Sequence, residues 1–133
     1  DAFIATSNFE GKGLVRIGVN GFMQGSVSTF SPNGKPLAIL SGNEFVQGVV
    51  STYSDKGKRL VSLNGTKSGS GAIFTFGPEG KNSVQIGSTT GGNGLFSIND
   101  SAGNPLIGIG TTKDGEGKVL QFNRAGIPKA MWP

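Results

Sequence analysis

A period of 23 residues runs through this chain without a single insertion, and no other feature restricts its fold as tightly. Gly25, Gly48, Gly71, Gly94 and Gly117 share one column, with Ala2 as their counterpart in the opening repeat. Nine residues further on, Gly11, Gly34, Gly57, Gly80, Gly103 and Gly126 fill a second column completely. Apolar columns keep the same step: Ile4, Val27, Val50, Ile73, Phe96 and Val119; Val15, Ala38, Val61, Val84, Ile107 and Ala130; Ile17, Leu40, Leu63, Ile86, Ile109 and Trp132. Thr6, Thr29, Thr52 and Thr75 also align. Six copies of one supersecondary unit, starting at residues 2, 25, 48, 71, 94 and 117, produce this pattern. At 133 residues they amount to one repetitive domain, 1–133.

Each repeat reads as two strands. The first, as in SVSTF (26–30), VVSTY (49–53) and AIFTF (72–76), is rich in β-branched and aromatic residues. A turn follows: SPNG, SDKG, GPEG, DSAG or NRAG. Pro at its second position presets φ near −65°, and Gly at its end takes the left-handed conformation, which is a type I turn closed by a glycine bulge. The second strand is KPLAIL (35–40), KRLVSL (58–63) or NPLIGI (104–109), and a looser Gly/Ser/Thr stretch such as GSTTGGN (87–93) returns to the next repeat. The 24 glycines follow no Gly-X-Y triplet and Ala and Glu are scarce, so composition too favours short strands over collagen or helices.

LVRI, LAIL, LVSL and LIGI are apolar at adjacent positions, which implies that both faces of the second strand need cover. A lone ribbon cannot supply it. Copies packed around a shared axis can, so a homotrimer is expected, with two packed sheets within one chain as the alternative. The array also looks capped over residues 127–133: Trp132 replaces the usual Ile or Leu, and Pro133 cannot donate to a sheet ladder. The fold expected is all-β, six two-stranded repeats in a β-prism or fibre-like assembly. A single-chain β-solenoid with one repeat per rung is one alternative. A β-trefoil is another, since Phe30, Phe76 and Phe122 alternate with Ser7, Tyr53 and Asn99 on a 46-residue super-period.

The pattern G-x-V-x-T-[FY]-x-x-x-G-K-x-L-V-x-L-G resembles glycine-rich repeat arrays of uncharacterised bacterial proteins. GSVSTFSPNGKPLAILS (25–41) and GVVSTYSDKGKRLVSLN (48–64) match it best, and the last repeat departs with Ile127 and Lys129 in place of Lys and Leu. The resemblance covers the whole chain. It implies a repetitive β architecture and no reaction.

Chemistry is sparse. With no Cys and no His, disulfides, thiolate metal sites and the commonest general base are all missing. GKGLVRIG (11–18) lacks the residue order of a phosphate loop and no helix follows it. Glu10, Asp55, Glu79 and Asp100 fall in turns of separate repeats, where carboxylates are turn formers; a glycosidase needs two of them ~5–10 Å apart. NDSAGN (99–104) has one carboxylate and no closing Glu, short of a calcium loop. No catalytic residue, cofactor or metal is therefore assigned. Net charge is +4, far from the dense basic character of a nucleic-acid binder, and no apolar run reaches the length of a transmembrane helix.

The expectation is a non-enzymatic structural or oligomerisation module for assembly, spacing or surface attachment. Its alternative is a carbohydrate- or polyanion-binding module using a basic stripe of Lys12, Lys35, Lys58, Arg59 and Lys81, whose partner would be a polysaccharide or another polyanion. Lysine after a bulge glycine also serves simply to keep a sheet edge soluble. The chain opens on Asp1 rather than Met, which reads as a mature or excised piece with an extracellular or cell-envelope location.

Overall fold

Residues 3–89, 91–112, 114–123 and 125–130 are described by a computed structural model. Twelve strands follow the repeat. They are β1 (Ile4–Ser7), β2 (Gly13–Val19), β3 (Gly25–Phe30), β4 (Pro36–Gly42), β5 (Gly48–Tyr53), β6 (Arg59–Gly65), β7 (Gly71–Phe76), β8 (Asn82–Ser88), β9 (Gly94–Asn99), β10 (Pro105–Thr111), β11 (Gly117–Phe122) and β12 (Pro128–Ala130). The chain divides into two compact units at the turn between the third and fourth repeats, residues 1–69 and 70–133. Within each unit every strand pairs antiparallel with its neighbours in sequence, β1 to β6 in the first and β7 to β12 in the second. The protein is all-β, with no helix among the described residues. The expected cap, residues 127–133, begins at the turn residue Ile127 and runs through β12, and its last three residues, Met131, Trp132 and Pro133, lie outside those described.

The glycine column does what turn chemistry requires. Gly11, Gly34, Gly57, Gly80, Gly103 and Gly126 all have φ between 72° and 89°, where a side chain would be strained. In each turn the first residue's N–H donates to the fifth residue's carbonyl and the glycine N–H donates back to the first, as in Ser31 N to Lys35 O (2.8 Å) and Gly34 N to Ser31 O (2.9 Å).

The returns between repeats are not loose. Those at Asn20, Asn43, Thr89 and Thr112 close with the same two hydrogen bonds, for example Asn20 N to Gln24 O (2.8 Å) and Met23 N to Asn20 O (3.0 Å). Met23 and Val46 take positive φ where the later returns have Gly69, Gly92 and Gly115, so no complete glycine column marks this identity. Two nearly equal turns per repeat explain the odd period: Asn8 to Asn20 spans 12 residues and Asn20 to Ser31 spans 11. The extra residue is a β-bulge. Thr6 faces Val15 and Ser7 faces Gly13, so Leu14 has no partner across the ladder. Leu37, Leu60, Ser83 and Leu106 are skipped in the same way. The sixth repeat, with Lys129 in the leucine position, pairs without a skip.

The bulge also corrects the reading of LVRI-type segments as apolar on both faces, except in LAIL, where Ile39 keeps the second face apolar. Their leucine is the unpaired residue; the next and the third-next residues share one face, and the residue between them, Arg16, Ile39 or Ser62, takes the other. Register therefore fixes an aliphatic face. In the first unit Ile4, Ile17, Val27, Leu40, Val50 and Leu63 lie directly opposite one another in a continuous row. In the second, Ile73, Ile86, Phe96, Ile109 and Val119 form the same kind of row. Thr6, Val15, Thr29, Ala38, Thr52 and Val61 run beside the first of these rows. The opposite face of the first unit carries Arg16, Ser28, Ile39, Ser51 and Ser62.

Burial is inverted relative to an ordinary sheet. Among the described residues the one buried hydrophobic side chain is Ala72, whereas Ser51 and Ser62 on the serine face are 1% and 0% exposed. Their hydroxyls satisfy each other at 3.2 Å. The aliphatic row stays open, with Ile4 at 68% and Leu40 at 54% exposure. Equivalent strands of successive repeats are separated by an antiparallel neighbour, so the columns do not stack on adjacent rungs ~4.8 Å apart as a one-repeat-per-rung solenoid requires. No pairing among the described residues joins the first strand of either unit to its last, as a closed barrel would.

Candidate functional site

The lysine column sits immediately after the positive-φ glycines. Lys12, Lys35, Lys58 and Lys81 are the fifth residues of their turns, and their carbonyls accept the closing hydrogen bonds from Asn8, Ser31, Ser54 and Gly77. Lys12 Nζ lies 2.9 Å from Glu10, both half exposed; such a surface pair adds little stability but reduces the charge offered to a ligand. The Lys35 stem passes over Gly57, where a Cβ would stand 3.7 Å from its Cδ, and the Lys81 stem passes over Gly103 in the same manner. Lysine stems thus cover the backbone of the next repeat's turn while their amines reach water. Arg59 begins β6 opposite Tyr53, its guanidinium 6.0 Å from the ring centre. Lys12, Lys35, Lys58 and Arg59 belong to the first unit, and Lys81 to the second.

A cavity of about 830 Å³ opens on the serine face of the first unit. Arg16, Ser28, Phe30, Ile39, Tyr53 and Arg59 line it together with turn residues Asn20–Phe22 and Asn43–Phe45. Of the basic stripe, Arg59 alone lines it. Arg16 belongs to no basic column, because no other repeat has a basic residue there. Register could have found it, since Arg16 lies opposite Ser28 across from Ile17's face. Aromatic rings, hydroxyls and guanidinium groups together suit an anionic sugar, yet both guanidinium groups are already engaged. Arg16 lies 5.0 Å over the Phe3 ring, as Arg59 does near Tyr53.

The acidic residues remain dispersed. Among the described residues no three His, Cys, Asp or Glu side chains gather where they could hold a metal ion, and no helix is long and apolar enough to cross a membrane. Asp100 has a displaced titration. A side-chain hydrogen bond from Asn104 (3.0 Å), with backbone N–H groups of Asn104 (2.8 Å) and Ala102 (2.9 Å), holds its carboxyl below the ordinary aspartate range. That is turn capping. The largest uncommitted feature is therefore apolar: the open aliphatic rows.

Neither a family model nor a curated protein matches this chain.

Proposed function

We propose that this chain is a non-enzymatic structural module that assembles with copies of itself, three around an axis, for assembly, spacing or surface attachment. The observation that carries this reading is the missing core. Ile17, Leu40, Val50 and Leu63 are side chains that burial stabilises by ~1.5–3 kcal/mol each, yet all are exposed in the lone chain.

Three copies bring three aliphatic faces together, which explains how equal repeats with so little internal core hold a fixed structure. The lysines and turn polar groups then form the outer, soluble surface. Light scattering after size exclusion at micromolar concentration tests the reading. Three times the 13.6 kDa chain, about 41 kDa, is expected; a 13.6 kDa particle with intact β signal in circular dichroism would exclude it.

A further inference from the structure

Five glycines have no explanation inside the chain. Gly25, Gly48, Gly71, Gly94 and Gly117 open their strands, and none has a positive φ. A Cβ added to any of them meets nothing within 4 Å. Elsewhere glycine has a cause: Gly34 and its column need the left-handed conformation, while Gly42 and Gly65 are crossed by the Gln24 and Gln47 side chains. In an ordinary strand position glycine gives up backbone entropy and side-chain packing, and it commonly marks the approach of another backbone or side chain.

Register places these glycines on the aliphatic face. Gly25 lies opposite Val19 and Gly48 opposite Gly42, each two residues before a member of the aliphatic row, Val27 or Val50. In the first unit the open slots recur on every second strand, ~9.6 Å apart, beside a row with one large side chain per strand. We infer that the aliphatic face is the seam between copies, with the glycine column as slots that admit the side chains of a second copy. This rests on the assembly proposed above and names its contact surface.

Pitch identifies the occupant. A surface that fills slots at this spacing must carry side chains at the same spacing, and the aliphatic row of another copy does so. Width argues for three copies rather than two. A two-sheet sandwich buries several large residues per strand. Here each strand of the first unit except β2, which adds Val19, offers one exposed large residue among its paired positions, flanked by Thr, Ala or Val on one side and largely Gly on the other. Ridges of that width meet well at an axis.

Gly25→Val together with Gly48→Val tests the seam, because valine suits a strand better than glycine while filling both slots. The wild type is expected at trimer mass, and the variant should need about tenfold or more higher concentration to assemble. A trimeric wild type with an unchanged variant overturns the seam and leaves the assembly reading standing. A monomeric wild type removes both. Should the double variant fail to fold, cysteine placement decides, since the chain has none of its own. Under mild oxidation Val50→Cys should cross-link copies and Ser28→Cys, on the opposite face, should not; the reverse result places the seam on the serine face and overturns the inference.

Discussion

The first two turns between repeats and the later ones share a backbone but differ in how their side chains serve it. Asn20 and Asn43 begin the early pair, Thr89 and Thr112 the late pair. Asn20 Oδ1 accepts from Phe22 N (2.8 Å) and Gln24 N (3.0 Å), while its Nδ2 reaches into the next repeat, to Ser41 Oγ (2.8 Å) and Gly42 O (2.9 Å). Asn43 repeats this reach toward Gly65 O (3.2 Å). Thr89 and Thr112 have only a hydroxyl, which accepts from Asn93 N (3.3 Å) and Glu116 N (3.2 Å). The early turns also close on Met23 (φ 62°) and Val46 (φ 60°), where the later ones close on Gly69, Gly92 and Gly115. Their Gln24 and Gln47 each keep Oε1 buried without a hydrogen-bond partner. Strain and stitching thus occur together: the turns with the costliest backbone are the ones tied to the following repeat by an amide.

Removing the stitch is the most severe way to test this contrast. Asn20→Ala deletes one acceptor that holds two backbone N–H groups and the amide that donates two bonds, and should lower stability by about 3 kcal/mol; Thr89→Ala should cost about 1 kcal/mol or less. Urea unfolding at one fixed protein concentration compares them, since assembly makes midpoints concentration-dependent. Asn20→Thr, which copies the later turns, should recover part of the loss through its hydroxyl but not the reach to Gly42. Equal costs for Asn20→Ala and Thr89→Ala would erase the distinction.

The strained closures give an effect of opposite sign. Val46 is β-branched, left-handed and 81% exposed, so its side chain gains little from its surroundings. Val46→Gly should stabilise the chain by about 1 kcal/mol, whereas Gly57→Ala, at φ 76° within a repeat, should destabilise it by about 1–2 kcal/mol. Thermal or urea midpoints measured side by side suffice. A loss on Val46→Gly would mean that this valine is held by something outside the lone chain.

Much of the fold was legible because its causes are local. Gly34 and Pro32 specify a turn, VVSTY a strand, and the 23-residue step their repetition. The second turn in each repeat was not, because its left-handed position holds Met23 and Val46 in the early repeats and Gly69, Gly92 and Gly115 only in the later ones, so no complete glycine column marks it. The bulge was invisible for a different reason: Leu37 beside Ala38 reads as two apolar faces until pairing shows that Leu37 has no partner. Pairing also assigned the faces, since Thr29 opposite Ala38 is a relation between strands that no single segment contains. Of the candidate site, the lysine column was legible as a column. That its stems lie over Gly57 and Gly103, and that Arg16 shares a cavity with Arg59, depends on how neighbouring strands come to lie side by side.

The mildest test uses two turns with the same bonding frame, one begun by a carboxylate and the other by an amide. Asp100 and Asn123 occupy the same place in successive repeats, and each side-chain oxygen accepts two backbone N–H groups, Ala102 and Asn104 for one, Ala125 and Ile127 for the other. Asp100 also takes the Asn104 side chain, the largest cause of its lowered pKa. Because its folded pKa lies below the unfolded value, its contribution is complete above the ordinary aspartate value and fades as pH falls through the lower, folded one. Carboxyl and amide NMR shifts should show an Asp100 midpoint below the ordinary 3.8, with the Asn104 amide moving alongside it and the Ile127 amide still. In Asp100→Asn the Asn104 amide should lose that dependence and behave as Ile127 does. An Asp100 midpoint at or above the ordinary value would mean that in solution its carboxylate does not accept these hydrogen bonds and does not hold the turn.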